Sequence, residues 1–369
     1  MSQEDQDKTL IASVHDLRYF VALLRGISFN NRATVRASAA GLAIFVEEAR
    51  SLLAVAYIFS GIFDEYIFNP EPPSGSAPES SQEEDSCAVF EIPLNTLTEC
   101  LNVFGTATAS NSASNASRFR KWGDNGEDDE EEHLNQGGSG RNNPDPARGS
   151  GNGRIDQYFG SDKGTGMRLT YAGPGHPVTL LVAEDANGPT ATCEVTTFDP
   201  EPILELDFNE TPCIMKVILK SSWLRDALSE LDPSCERLTI ICNPPPPPGR
   251  AALPSSQARL RLQAIGNFGS TEMDYPNDKE VLETCECAEQ ISFSYSFRHI
   301  SRAQRALQSS TKTSLRINEE GLLSLQLIMP SPRFRDDGNS DGFIEFRVRV
   351  TSQAHAIPAD DLLIVPAIG

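Results

Sequence analysis

The chain has 369 residues, enough for two domains with real cores, and its formal net charge is −21. That charge excludes an outer surface coated in nucleic acid. Much of the acid sits in residues 71–85 and 124–132, runs with few apolar side chains that read as solvated and disordered, so the remainder is nearer neutral and has room for a basic face.

Eight cysteines fit no disulfide framework. Cys285 and Cys287 are one residue apart, the wrong spacing for a zinc half-site. Most of the others lie in or beside apolar runs and read as small buried thiols. With no signal peptide at the start, the expectation is a reducing compartment. The longest apolar window, Leu52 to Phe63, is too short to cross a membrane and is broken by Ser60 and Gly61.

In chain order, Leu10 to Val14 reads as a strand. A helix follows with Leu17, Val21 and Leu24 on one face and Arg18 and Arg25 off it. Strands at Thr34–Ala39 and Leu42–Glu47, and more turning near Gly61, carry the chain to Phe68. Residues 70–86 form a Pro/Ser/Glu insertion. Val89 to Phe104 gives a strand and a second helix, where Leu94, Leu97, Leu101 and Phe104 share a face. Residues 106–165 are low-complexity and acidic; they read as disordered and removable without loss of fold. Three strands follow, at Met167–Tyr171, Val178–Val182 and Thr190–Phe198.

Asp199 to Phe208 reads as an extended connector. Its Ile203, Leu204 and Leu206 are apolar residues in an exposed-looking segment, which marks a docking site for partner proteins. Its carboxylates, Asp199, Glu201, Glu205 and Asp207, read as an acidic linker and not as a two-metal centre.

The second half opens on Ile214 to Leu219, a strand running straight into a helix with Trp223, Leu224, Leu228 and Leu231 at helical spacing. Ser221 and Ser222 stand where an N-cap belongs, Asp226 is assigned to the first turn, and Asp232-Pro233 stops the helix. This repeats the opening unit: Leu17-Arg18 overlays Leu224-Arg225, Val21 overlays Leu228 and Leu24 overlays Leu231. Strands at Leu238–Cys242 and Arg259–Ile265 flank a polyproline loop, Pro244 to Pro248. Strands at Gly269–Tyr275 and Ile291–Phe297 follow. A helix over Arg298–Gln308 has Ile300, Ala303, Ala306 and Leu307 on its apolar side and Arg298, Arg302 and Arg305 apart. Strands at Thr313–Ile317, Leu322–Ile328 and Phe343–Val350 close the half, before an apolar tail.

No catalytic constellation stands out. The five histidines are scattered and there is no phosphate-binding GxxxxGK[ST] loop, so no metal and no cofactor are expected. The informative residues are basic. Arg18 and Arg25 lie on the first helix, Lys220 and Arg225 at the third, and Arg298, Arg302 and Arg305 on the fourth. If the helices line one surface, these make a basic stripe that grips phosphates without reading bases.

Four stretches carry a family resemblance: GLAIFVEEARSLLAVAYIFSGIFDEY at Gly41–Tyr66, WLRDALSELD at Trp223–Asp232, IGNFGSTEMDYPND at Ile265–Asp278, and STKTSLRINEEGLLSLQLIM at Ser310–Met329. The chain resembles the Rad-one family, subunits of the nine-one-one DNA-damage checkpoint clamp, related to sliding clamps of the proliferating-cell-nuclear-antigen type. The resemblance implies an α+β fold of two tandem clamp domains, residues 1–198 and 210–352, with antiparallel sheets and two helices each lining a ring. Residues 199–209 join them and 353–369 form a tail. It implies a heterotrimer with two paralogous clamp subunits, opened by a clamp loader at damaged sites in the nucleus. Double-stranded DNA passes through, independent of sequence, and repair and checkpoint proteins dock on the ring; no membrane is involved. Subunit interfaces would use Thr190–Phe198 and Gly269–Tyr275, with Thr192, Glu194, Thr196, Ser270, Glu272 and Asp274 along them. Some members of the family are assigned 3′-to-5′ exonuclease activity, which is the alternative reading.

Overall fold

The computed structural model describes residues 8–70, 86–105, 165–184, 188–245, 258–267, 269–331 and 341–353. The two acidic insertions, the polyproline loop and the apolar tail, with the expectations attached to them, fall, apart from their margins, outside the described residues. One margin matters for the removable segment: the Thr165 carbonyl accepts the Leu17 N–H at 2.9 Å and Thr165 is buried, so that boundary lies at least one residue too far along the chain.

The first half runs β1 (Leu10–Val14), α1 (Arg18–Ile27), β2 (Arg32–Ser38), β3 (Gly41–Glu48), β4 (Leu52–Phe59), β5 (Glu65–Phe68), β6 (Ala88–Pro93), α2 (Leu94–Leu101), β7 (Gly166–Tyr171), β8 (Val178–Ala183) and β9 (Thr190–Val195). The second half runs β10 (Cys213–Lys220), α3 (Ser221–Glu230), β11 (Arg237–Cys242), β12 (Leu260–Gly266), β13 (Gly269–Tyr275), β14 (Leu282–Cys287), β15 (Ile291–Ser296), α4 (Phe297–Ser301), α5 (Gln304–Ser309), β16 (Lys312–Asn318), β17 (Leu323–Met329) and β18 (Gly342–Val348). A short β19 (Ser352–Gln353) pairs with β15. Element for element, the second half repeats the first, with α4 and α5 together standing for α2.

The sheets repeat as well. Strand order β5-β1-β7-β8-β9 in the first half matches β14-β10-β16-β17-β18 in the second, and β4-β3-β2-β6 matches β13-β12-β11-β15. Every strand pair is antiparallel. The halves join where β18 pairs with β4, which fuses two of these sets into one nine-stranded sheet.

This seam is covered on both faces, because successive strand residues point to opposite sides. Ala54, Ala56 and Ile344 face the helices in the main core. Leu53 and Val55 face the other way and join Leu204, Leu206, Phe208 and Leu322 in a second cluster. The connector therefore lies across the outer face of the seam. Arg347 holds it by donating from Nη1 to the Leu206 carbonyl at 2.9 Å, and the Leu204 N–H donates to Glu47 at 3.2 Å.

That corrects the exposure on which the docking assignment rested. Leu204 is 4% and Leu206 5% exposed, and Ile203 is half-buried against the same cluster. Alternation along the extended segment sends Leu204, Leu206 and Phe208 inward while Glu205 and Asp207 stay out. The pull of an apolar surface at the seam overrides the polar look of the segment.

Other elements differ in detail from the sequence reading. Lys220, not a serine, caps α3; Ser221 is the first helical residue, fully buried, with its hydroxyl bonded to Thr313 at 2.9 Å. Asp226 lies beyond the first turn and pairs with Arg225. The fourth helix breaks at Arg302–Ala303 into α4 and α5, while Ile300, Ala303, Ala306 and Leu307 stay buried. β9 ends at Val195, and Phe198 makes only a single bridge to Glu91. β14 has no counterpart in the sequence reading, because LETCEC is too polar to stand out.

Candidate nucleic-acid interface

The helices form one layer. α2 touches α1, α1 touches α5, and α5 touches α3, so the layer crosses from one half to the other at α1 and α5. Gly26 makes that crossing close: a Cβ there would lie 2.4 Å from Ile344 Cδ1 and 3.2 Å from the Ala306 Cβ. Tyr19 locks the layer to the seam. Its hydroxyl donates to the Met329 carbonyl at 2.6 Å and accepts the Gly342 N–H at 2.7 Å.

The expected basic residues lie on this layer, yet few are uncommitted. Arg18 donates from Nε to Asp16 at 2.9 Å and Arg225 pairs with Asp226 at 2.8 Å. Arg298 reaches Glu48 at 2.8 Å. Arg302 grips the same carboxylate with two bonds, at 2.8 and 3.0 Å, and its guanidinium lies 5.9 Å from the Phe29 ring. Arg305 is exposed and donates to the Ser28 hydroxyl at 3.3 Å. Among the described residues no ion pair reaches Arg25 or Lys220.

Glu48 is the residue that the sequence reading missed. It ends β3, just before a turn in which Ala49 and Arg50 both take positive φ, and this places it beneath α4. Burial is the largest single influence and would raise its carboxyl, but the Arg302 hydrogen bonds and the charges of Arg302, Arg298 and His299 together outweigh it and hold the group below the usual range. His299 is lowered as well: burial lowers it, against the pull of Glu48. The local arrangement is a clamp of two arginines on one carboxylate, leaving one net positive charge. The signal available in sequence was the Glu47-Glu48 pair at a strand end, which resembles any solvated turn.

The second feature is a pair of open edges. β9 ends one sheet of the first half and β13 ends one sheet of the second. The residues assigned there, Thr192, Glu194, Thr196, Ser270, Glu272 and Asp274, are all exposed. Arg261 on β12 binds both Glu272 and Asp274, at 3.0 and 2.6 Å, and Gln263 donates to Glu272 at 2.8 Å.

The connector carboxylates do not converge. Glu201 pairs with Arg32 at 3.0 Å, and Asp207 accepts the Asn209 N–H at 3.0 Å. Among the described residues no group of three or more His, Cys, Asp or Glu is placed to hold a metal ion. Of the cysteines, only Cys242 and Cys287 are buried, and Cys87 and Cys213 are exposed, so the expectation of buried thiols holds for a minority. Cys242 approaches Cys285 to 3.7 Å, a neighbour that the CxC spacing alone did not show. No helix among the described residues is long and apolar enough to cross a membrane.

These features agree with what the chain is similar to. A family model described as "Repair protein Rad1/Rec1/Rad17" matches residues 9–329. "Cell cycle checkpoint protein RAD1" of Homo sapiens is 28% identical over 346 residues, covering 94% of this chain and 93% of that protein. "DNA damage checkpoint control protein rad1" of Schizosaccharomyces pombe is 27% identical, covering 85% and 79%. "DNA repair exonuclease REC1" of Mycosarcoma maydis is 27% identical, covering 88% of each. Among solved structures, Proliferating Cellular Nuclear Antigen from Entamoeba histolytica superposes with a TM-score of 0.57 at 13% identity, over 94% of this chain and all of that one, which shows a sliding-clamp fold. The chain belongs to the Rad1/Rec1/Rad17 family of repair proteins.

Proposed function

We propose that this protein is one subunit of a heterotrimeric checkpoint clamp that encircles double-stranded DNA in the nucleus and serves as a platform for checkpoint and repair proteins. The single observation that carries this reading is the continuous helix layer with its basic residues, in a chain that has β9 at a sheet edge in one half and β13 at a sheet edge in the other. Two open edges let a chain join two neighbours, and a ring needs both. The names of the checkpoint relatives support the cellular role.

In this reading the two clamp domains meet at the β4·β18 seam, and DNA runs past the helix layer. Arg25, Lys220 and Arg305 touch phosphates directly. Arg298 and Arg302 contribute the charge that Glu48 leaves over, and Arg18 and Arg225 sit at the margins beside Asp16 and Asp226. Such contacts are loose and read no sequence. Two paralogous clamp chains complete the ring and a clamp loader opens it. With Leu204 and Leu206 buried, partner docking at the connector falls to Ile203 and the adjoining cleft of about 240 Å³, lined also by Arg32, Phe45 and Glu201.

The test is topological. The assembled complex, loaded on closed circular DNA, should stay bound through a high-salt wash and be released when the circle is cut. Equal retention before and after cutting contradicts encirclement. The alternative, a 3′-to-5′ exonuclease, is favoured by one relative's name. It requires Mg²⁺- or Mn²⁺-dependent shortening of DNA that Ala substitutions at Glu201, Glu205 or Asp207 abolish.

A further inference from the structure

The chain contains its own example of how its open edges pair. The repeat sets β4 on β13 and β18 on β9, so the β4·β18 seam gives the register that a ring contact would use. Pro93 and Ser296, which lead into α2 and α4, sit opposite Arg32 and Arg237. From there the ladders place Leu53, Val55 and Tyr57 where Ser270, Glu272 and Asp274 lie. On the other side, the Leu17/Leu224 overlay sets Ser13 on Lys220. Their ladders then place Thr192 and Glu194 where Phe343 and Glu345 lie, and continuing the same register one residue past Val195, the end of β9, sets Thr196 where Arg347 lies.

In the seam, Phe343 faces Tyr57, Glu345 faces Val55, and Arg347 faces Leu53. A second copy of this chain pairing in that register would therefore set Glu194 directly against Glu272, and Thr192 against Asp274. Like charges directly opposite on one face destabilise a strand pair.

The seam shows what makes an acid tolerable there. Glu345 is 2% exposed, faces an apolar residue, and is held by Arg347 at 2.7 Å, Arg316 at 3.3 Å and the Ser324 hydroxyl at 2.6 Å. Continued one residue past the ladders that end at Tyr171 and Val195, the register puts Ala172 in the place of Arg316 and Thr196 in the place of Arg347. Arg261 already serves both Glu272 and Asp274. A third carboxylate brought to that spot meets an arginine already shared by two.

We propose that this edge charge refuses a second copy of the chain and selects clamp-type partners of different sequence. Opposite Glu194 the partner's edge strand carries Lys, Arg or an uncharged residue. Opposite Glu272 and Asp274 the other partner does the same. The proposal rests on the ring-subunit reading and says which chemistry each partner must bring to its edge.

The reporter is a pair of cysteines at Thr196 and Ser270, neutral positions that the register sets face to face. The purified T196C/S270C chain should form little intermolecular disulfide under mild oxidation, no more than S270C alone. Adding E194K removes the repulsion and supplies an attraction, so the cross-linked fraction should rise at least about tenfold. Combining E194K with E272K should abolish the gain. E272Q, which is milder at an exposed position, should give a smaller rise in the same direction, and unchanged melting temperatures show that all these chains fold. The proposal is overturned if the parent chain already cross-links as readily as E194K, or if E194K gives no rise. The ring-subunit reading is judged separately: it falls if the wild-type chain taken from cells brings no other clamp chain. Partners present but no gain with E194K removes the charge selection alone.

Discussion

The β4·β18 seam and the open β9 and β13 edges are two versions of one strand contact, and they differ in everything except topology. The seam has helices on its inner face, the connector on its outer face, and its acid held by two arginines. The open edges have exposed side chains among the described residues. A contact that must never open is built from buried apolar residues. On the ring-subunit proposal, a contact that forms with another chain is left polar, so its strength is set by the partner. The sheet repeat thus places permanence in one copy of the contact and choice in the other.

The largest effects should come from stripping the seam's outer cover. Leu206→Ala leaves a cavity between connector and sheet and should cost about 2–4 kcal/mol, read as a lower denaturant midpoint. Thr196→Ala, at the equivalent open edge, should change stability by less than about 0.5 kcal/mol. Equal losses at the two sites would erase the distinction.

The seam's inner cover depends on the close approach at Gly26. Gly26→Leu forces α1 away from Ala306 and Ile344 and should cost about 1–3 kcal/mol by overpacking. A variant as stable as the parent would mean that the helices are not tightly held across the seam.

Because that inner cover is also the basic layer, charge changes on it should move DNA association. Arg302→Glu with Arg305→Glu should weaken binding by the assembled complex, with no change in sequence preference. The log–log salt slope should be shallower by ~1 for each phosphate no longer neutralised. An unchanged slope would assign the DNA contact to the other subunits.

The smallest effect is opposite in sign. Glu48→Gln releases Arg298 and Arg302 and should tighten DNA binding modestly, at some cost in stability. Glu48 is lowered in the folded state, so its contribution is full above its ordinary carboxyl range and is lost as pH falls through the folded value. The melting difference between parent and Glu48→Gln should therefore be greatest near neutral pH and shrink in acid. A difference that does not vary with pH would show that the carboxylate is not held by its arginines.

Much of this arrangement was readable in sequence, because it rests on local rules. The strand–helix units at Leu10–Ile27 and Cys213–Glu230 announce themselves by periodicity, and the stripes of Leu94, Leu97 and Leu101, or of Ile300, Ala303 and Ala306, are buried as the pattern requires. What was not readable depends on distant partners. Leu204 and Leu206 look exposed until β4 and β18 meet beneath them. Ser221 looks like a cap until Thr313 takes its hydroxyl. Glu48 looks solvated until Arg298 and Arg302 arrive from far along the chain, the Arg302 bond spanning a separation of 254 residues. The polar edge β14 gave no apolar signal at all.

The central claim is that this chain is one unlike member of a three-subunit ring. The most direct measurement is the native mass of the complex isolated from cells through this chain, with its subunits identified. The account predicts one copy of this chain bound to two different clamp-fold chains. A single chain, or a closed assembly made of this chain alone, would contradict it.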